Sequence, residues 1–136
     1  MSHSNGSFYS LFLAITWPKV FNRLVLLDPT IKTENYYKHL LEKEKLDINL
    51  YKLEQFDQLP DHSKLSCQII VFIHLNLDTK LLDKDKLLLF DKIKELGKIV
   101  NKNVKSRLCL HVDVSHMIHY KIPGVVINSV REIYKL

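Results

Sequence analysis

The run CQIIVFIHL, residues 67–75, restricts the fold more than any other stretch of the chain. It is apolar almost throughout and rich in β-branched side chains, whereas a strand with one face in water alternates apolar and polar residues. A strand of this composition is covered on both faces, as in sheets that carry helices on each side. The run therefore predicts the central strand of an α/β sheet.

Strand and helix patterns alternate along the rest of the chain. Helices are predicted over 33–46 and 83–100, where apolar residues recur at helical spacing. Further strands are predicted over 8–16, 23–28, 108–114 and 125–136, with a looser pattern over 48–56. The connections after residues 28 and 75 are long enough for parallel crossovers, whereas the last two strands are joined by a short loop. We therefore expect a mixed, partly parallel sheet of about five strands, two main helices and an antiparallel C-terminal strand pair.

Length and composition predict one intracellular domain. A chain of 136 residues can bury one core and has no linker-like segment, so we expect a disordered lead-in at 1–7 and a single α/β domain over 8–136. Cys67 and Cys109 each lie in an apolar run, which predicts buried free thiols in a reducing compartment. The apolar run before Pro18 is about ten residues long, and a membrane-spanning helix needs roughly 20. Because it also lacks the features of a signal peptide, we expect a nuclear or cytoplasmic protein that does not enter a membrane.

Histidines and an aspartate are concentrated in RLCLHVDVSHMIHYK, residues 107–121. If 108–114 is a strand, His111 and Asp113 lie on the same face, and His116 follows in the next loop. The opposite face is then predicted to be buried, and it consists of Leu108, Leu110, Val112 and Val114. A transition metal binds where three or four such ligands converge, so His111, Asp113 and His116 are the metal-site hypothesis. Neither H-E-x-x-H nor C-x-x-C occurs, which favours hydrogen-bonded polar side chains and no metal.

Ser115, His116 and Asp113 are the residue types of a hydrolytic triad. Neighbouring residues on an extended chain point apart, so this local group cannot form the line from nucleophile to base to orienting acid. The usual glycine-flanked nucleophile turn, G-x-S-x-G, is also missing. The sequence patterns therefore do not predict a serine hydrolase.

The stretch LLDPTIKT places Asp28 at the predicted end of a strand. In this it resembles the phosphotransfer aspartate of haloacid-dehalogenase-like and receiver domains, and the resemblance implies a metal-dependent phosphotransfer site. The first family has a second aspartate where Thr30 stands, and the second has paired acids where Asp28 stands alone before Pro29. A magnesium ion needs several oxygen ligands held together. Asp28 is therefore predicted to be a turn or cap residue, with phosphotransfer as the alternative.

Glycine is scarce, with three residues in the chain, and neither G-x-x-x-x-G-K-[ST] nor G-x-G-x-x-G occurs. Phosphate-binding loops use glycine because it lets the backbone approach the ligand closely. No nucleotide or other cofactor is therefore predicted. The strand–helix order that remains resembles that of degenerate RecA-like subunits, which have lost ATP chemistry and persist in heteromeric complexes.

The net charge of +5 resides in the last part of the chain. Residues 1–97 hold thirteen Lys or Arg and thirteen Asp or Glu, whereas residues 98–136 hold seven Lys or Arg and two acids. Six of these basic residues form the predicted nucleic-acid-facing surface: Lys98, Lys102, Lys105, Arg107, Lys121 and Arg131. Cations near a helix C-terminus also stabilise the helix dipole, so a merely solvated surface is the alternative.

These patterns favour a non-catalytic α/β subunit of a larger intracellular assembly. The aromatic residues near the N-terminus could belong to a strand edge that a partner chain completes. We expect other protein subunits as partners in a hetero-oligomer, with nucleic acid as a further candidate partner. The alternative function is a metal-dependent or phosphotransfer enzyme that uses Asp28 or the cluster of His111, Asp113 and His116.

Replacing Lys102, Lys105 and Arg107 with glutamate tests the basic surface. If the surface contacts phosphates, a labelled nucleic acid binds in a salt-dependent manner, and the triple variant binds more weakly because acids replace the cations. The loss is measured by fluorescence anisotropy at two salt concentrations. Unchanged binding in the variant would place any nucleic-acid contact elsewhere on the chain.

Overall fold

The computed structural model of the chain describes residues 1–31, 62–75, 83–112 and 114–135. In these ranges the strands are β1 (Ser2–His3), β2 (Arg23–Leu27), β3 (Gln68–Leu75) and β4 (Arg107–Val112). The helices are α1 (Gly6–Thr16), α2 (Asp83–Val100), α3 (Ile118–Lys121) and α4 (Pro123–Tyr134), and a 3₁₀ turn at His62–Lys64 precedes β3. The predicted helix over 33–46 and the predicted strand over 48–56 lie outside the described residues.

All four strands of the described ranges run parallel in one sheet, in the order β1-β2-β3-β4. Leu27 of β2 is level with Phe72 of β3, and Phe72 is level with Cys109 of β4. α1 joins β1 to β2, and α2 lies between β3 and β4. Both helices pack on the same face, as right-handed crossovers between successive neighbours require. The carboxyl ends of the strands therefore meet at one edge.

β3 is the central strand that its apolar run predicts. Residues 69–73 are almost completely buried, because helices cover both faces of the strand. On one face the core includes Leu11 of α1 and Leu96 of α2. On the other face it includes Ile118 of α3 and Ile133 of α4. The described part of the chain is thus an α/β arrangement with helices on each side of the sheet.

The N-terminal strand predicted over 8–16 is wrong, because this segment forms the helix α1. Ser7, Leu11 and Ala14 are its buried residues, and their spacing of four and three is helical. An apolar run of this length fits a buried strand or a buried helix equally well, so periodicity alone did not separate the two. The preceding residues 1–7, predicted as a disordered lead-in, contain β1 and the start of α1.

The antiparallel C-terminal strand pair is also wrong, because its second member is the helix α4. Val126, Ser129 and Ile133 are buried at a helical spacing of three and four. Pro123 stands at the start of α4, where its missing N–H costs nothing because the first N–H groups of a helix have no partner within it. The sheet of the described residues therefore has four parallel strands in place of about five mixed ones.

β4 is confirmed as a strand, but its predicted burial pattern is wrong. Leu110 and Val112 are 46% and 44% exposed, and Leu108 is half-buried against the core of α2. On the opposite face, Cys109 packs with the core of α4. β4 ends the described sheet on one side, so the helices cover only part of each of its faces.

The two cysteines are free thiols, as predicted, with Cys67 buried and Cys109 half-buried. Burial raises the pKa of both thiols above the ordinary value. Within the described ranges, no helix combines the length and the apolar character that crossing a membrane requires.

Replacing Phe72 with alanine tests the two-sided core. Phe72 is fully buried in β3, so we expect the free energy of unfolding to fall by about 3–5 kcal/mol, from lost apolar burial and the cavity that remains. Phe90→Ala is the matched control, because Phe90 on α2 is 68% exposed. Urea denaturation followed by circular dichroism measures both variants, and equal losses would contradict the assignment of β3 to the core.

Candidate active site at the carboxyl edge of the sheet

Asp28 directly follows β2 and has 1% of its side chain exposed. Its backbone φ is 41°, in the left-handed region that aspartate and asparagine adopt more readily than most residues. Its N–H still donates a hydrogen bond of 2.7 Å to the carbonyl oxygen of Phe72 in β3. The sheet pairing therefore extends to Asp28, and the left-handed turn ends the strand there.

Three side chains from distant parts of the chain surround the Asp28 carboxylate. Lys92, from the middle of α2, donates to Oδ1. His74, near the end of β3, places Nδ1 2.5 Å from Oδ2, and His116, in the loop between β4 and α3, places its own Nδ1 on the same oxygen. Burying a charge is costly unless it is paired and hydrogen-bonded. The three contacts meet that condition for Asp28.

The carboxyl group of Asp28 stays ionised in spite of its burial. Burial alone would raise its pKa, but the charge and hydrogen bond of Lys92, the hydrogen bond of His116 and the charge of His74 outweigh that effect. The pKa therefore lies below the ordinary value of 3.8. At neutral pH the site contains a fixed carboxylate.

The contacts also set the tautomers of the two imidazoles. An ionised carboxylate only accepts hydrogen bonds, so Nδ1 of each ring carries a proton, and Nε2 of a neutral ring is then an acceptor. The side chains of His74 and His116 are 29% and 47% exposed. Asp28 thus orients two partly exposed imidazoles through Nδ1, and Nε2 is the nitrogen of each ring that is left to take part in proton transfer.

Ser4 occupies the turn between β1 and α1, within the stretch SHSNG. Its φ of 51° costs a residue with a Cβ on the order of 1–3 kcal/mol. Its N–H donates to the carbonyl oxygen of Leu27 at 3.0 Å, and its carbonyl oxygen accepts from the N–H groups of Ser7 and Thr30 at 3.0 and 3.2 Å. These hydrogen bonds hold the strained turn beside the segment that carries Asp28.

His3 connects the same turn to the loop that carries His116. Its Nε2 donates a hydrogen bond of 2.9 Å to the carbonyl oxygen of His116, and the centroids of the two rings are 4.4 Å apart. Ser4 follows His3 directly and bonds the end of β2, so its turn contacts the segments of both Asp28 and His116. A serine, two imidazoles and a buried carboxylate are therefore gathered at one edge.

Asp28, His74 and His116 also form a group of potential metal ligands. One ligand atom from each, namely a carboxylate oxygen and two imidazole nitrogens, lies within 4.8 Å of the others. Of the two described residues of the predicted metal set, His111 and His116, only His116 belongs to this group. His111 instead stacks on Phe72 with ring centroids 5.6 Å apart, and its buried Nε2 has no hydrogen-bond partner among the described residues. Asp113 lies outside the described residues.

The six predicted nucleic-acid-binding residues lie on several elements of the described fold, and their contact with nucleic acid stays a prediction. Arg107 pairs with Glu132 through two contacts of 2.9 and 2.6 Å and also reaches the Ser129 hydroxyl, and Lys98 contacts Glu95 at 2.6 Å. The remaining four are distributed over the loop before β4, α3 and α4: Lys102, Lys105, Lys121 and Arg131. Lys102 and Lys105 precede β4 and so lie at the amino edge of the sheet, whereas Lys121 belongs to the segment that follows His116.

Three residues of the site were not predicted from the sequence. Ser4 lies in the segment assigned to a lead-in, although SHSNG preserves the serine and the second glycine of G-x-S-x-G. His74 lies one residue before the end of β3, and the apolar run of that strand gives no sign of a functional side chain there. Lys92 reads as one of many lysines on the polar face of a helix, and no local signal separates it from the others.

Comparisons of the chain with protein-family models, with curated proteins and with solved structures find no match. The function therefore has to be inferred from the side chains at the carboxyl edge.

Replacing Asp28 with asparagine tests the buried charge. At pH 7 the variant leaves Lys92 without its counterion, and we expect the free energy of unfolding to fall by about 3 kcal/mol. Because the folded pKa is lowered, the carboxylate contributes stability above the unfolded pKa of about 4, and this contribution is lost as the pH falls through the folded pKa. The difference in free energy of unfolding between the wild type and Asp28→Asn should therefore become smaller below about pH 4.

Urea denaturation at pH 7 and pH 3 measures this deficit. Asp83→Asn is the control, because the Asp83 carboxylate is fully exposed in its contact with Lys86, and its stability should follow the wild type at both values. A deficit for Asp28→Asn that stays constant or grows toward pH 3 would contradict a lowered pKa.

Proposed function

We propose that the chain is a serine hydrolase of esters or related acyl compounds, with Ser4 as nucleophile, His116 as base and Asp28 as the residue that positions the base. The observations that carry the proposal are the contact between buried Asp28 Oδ2 and His116 Nδ1, and a serine at positive φ whose backbone bonds Leu27 and Thr30 on either side of Asp28. A nucleophile, a base and an orienting acid are the parts of a hydrolytic triad. No pattern in the sequence predicts that Ser4, Asp28 and His116 lie close together.

The chemistry follows from the tautomer that Asp28 imposes. Ser4 Oγ attacks the acyl carbon while its proton passes to Nε2 of His116, and the imidazolium that forms is stabilised by Asp28 through Nδ1. Cleavage of the bond to the leaving group gives an acyl-serine, and the leaving group takes the proton from Nε2. Water then repeats the sequence, with His116 as base, and restores the serine.

The turn around Ser4 has the features of a nucleophile elbow. In α/β-hydrolases the nucleophilic serine sits on a sharp strand-to-helix turn, the triad follows in the order serine, acid, histidine, and the N–H after the serine serves the oxyanion hole. Here the order is Ser4, Asp28, His116, and the next residue, Asn5, precedes α1. The likeness is one of local geometry and chain order, and it supports the proposal by analogy.

SHSNG departs from G-x-S-x-G at its first position, where Ser2 stands. A Cβ added at Gly6 would lie 3.8 Å from Cβ of Ser2, which is an ordinary van der Waals distance. Ser2 and Gly6 therefore lie close together across the turn without a steric clash. A serine in place of the first glycine is compatible with the elbow.

Lys92 supports the triad through Asp28. By donating to Oδ1 it leaves Oδ2 facing the imidazoles, and it favours the ionised carboxylate that a positioning acid requires. His116 belongs to a loop and is the more exposed of the two imidazoles, as a proton acceptor that must reach substrate should be.

The alternatives from the sequence remain predictions. A non-catalytic role in a hetero-oligomer, contact with nucleic acid and a nuclear or cytoplasmic location are each compatible with the described fold. A strained serine and a buried carboxylate holding two imidazoles favour an enzyme over a purely structural subunit, because neither feature is required to stabilise a sheet.

Covalent labelling of Ser4 tests the proposal. A fluorophosphonate probe should form a bond to Ser4 Oγ with loss of fluoride, giving one adduct per chain by intact-mass spectrometry. Ser4→Ala should abolish the adduct and lower kcat for p-nitrophenyl acetate by about 10³-fold or more.

Ser115→Ala is the matched control, because Ser115 precedes His116 and its hydroxyl accepts a hydrogen bond from the Met117 N–H, with no contact to Asp28 or His74 among the described residues. It should label and hydrolyse like the wild type. An adduct that persists in Ser4→Ala, or wild-type protein that neither labels nor hydrolyses, would refute the hydrolase.

A further inference from the structure

We propose that Asp28, His74 and His116 also form a zinc site, and that zinc bound there switches the triad off. The inference rests on the proposed hydrolase for its inhibitory effect, whereas the binding of zinc stands on the three ligands alone. Its basis is the second imidazole: a triad needs one histidine on the acid, and Asp28 Oδ2 has two.

The donor set fits zinc. Zinc takes imidazole nitrogen and carboxylate oxygen ligands at about 2.0–2.2 Å in tetrahedral sites, so ligand atoms in such a shell lie roughly 3.3–3.5 Å apart. The three ligand atoms already lie within 4.8 Å of one another, and His74 Nδ1 is 2.5 Å from Oδ2. Small outward movements of the imidazoles would open a tetrahedral site with a fourth position for water.

The surroundings allow the ion to enter and hold one ligand in place. His116 and His74 are partly exposed, so the site is reached from solvent. Lys92 occupies Oδ1, which leaves Oδ2 as a single-oxygen ligand whose orientation is fixed by a hydrogen bond, as metal-binding carboxylates often are. The ammonium group of Lys92 repels a cation and so lowers the affinity of the site for zinc. We therefore expect zinc binding to be reversible.

Zinc would inhibit through the tautomer of His116. Coordination at Nδ1 would take the nitrogen whose N–H now donates to Asp28, so the single ring proton of the neutral imidazole would move to Nε2. Nε2 is the atom that must accept the Ser4 proton, and once protonated it cannot. The same ion also removes Asp28 from its positioning role. The number of protons on the ring is unchanged.

Titration of the tag-free chain with zinc chloride by calorimetry tests the site. We expect one zinc per chain, and a loss of p-nitrophenyl acetate hydrolysis on zinc addition that EDTA reverses. His74→Asn should weaken zinc binding at least tenfold, and its ratio of activity with and without zinc should rise toward one. His119→Asn is the matched control, because His119 lies at the same edge but outside the three ligands, and it should bind zinc like the wild type.

The outcomes separate the two proposals. No stoichiometric zinc in the wild type, or equal zinc affinity in His74→Asn, overturns the metal site and leaves the hydrolase to the Ser4 labelling. Zinc that binds through His74 to a chain without hydrolysis or labelling supports the metal site and overturns both the inhibition and the hydrolase. Reversible inhibition of the wild type that His74→Asn loses supports the whole inference, with circular dichroism confirming that the variant is folded.

Discussion

The carboxylate of Asp28 is the constraint on which the rest of the carboxyl edge depends. A buried charge is stable only when the fold brings partners to it, and these partners come from both layers of helices. Lys92 reaches it from α2 on one face of the sheet, and His116 reaches it from the loop that leads to α3 and α4 on the other. The parallel sheet makes this convergence available, because its strands end at one edge.

Because two imidazoles contact the same oxygen of Asp28, the three side chains could either position a base or bind a metal ion. With protons on both Nδ1 atoms, Asp28 is an acceptor that orients bases. With a metal ion in place of those protons, the same three side chains are ligands. The two proposed states differ in whether protons or a metal ion lie between Asp28 and the two imidazoles.

The sequence predicted the elements whose patterns are unambiguous and failed where strand and helix patterns overlap. The apolar run of β3 and the helical stripe of α2 predict these elements correctly, and the pattern of β4 predicts a strand but not which of its residues are buried. The pattern of α1 predicts a strand because a short apolar segment carries too few polar residues to mark its period. The helix after Pro123 contains polar residues, but its β-branched start at Val125 and Val126 favours a strand.

The site escaped prediction for a different reason. Asp28 and His116 were each singled out, but as parts of separate hypotheses, since 88 positions separate them and no local spacing relates them. Ser4 lies in residues 1–7, which the sequence predicts to be a short disordered lead-in. Its ordering comes from Leu27 and Thr30, which are distant in sequence, and such contacts are invisible to any local pattern.

The left-handed backbone at position 28 limits which amino-acid substitutions the site can accept. Aspartate, asparagine and glycine tolerate a φ of 41°, whereas β-branched and bulky residues do not. Asparagine matches aspartate in shape but lacks the charge, and glycine lacks the side chain. Most single substitutions at this position would therefore disturb the turn and the chemistry together, and the few that spare the turn would leave a well-formed sheet edge with no acid in it.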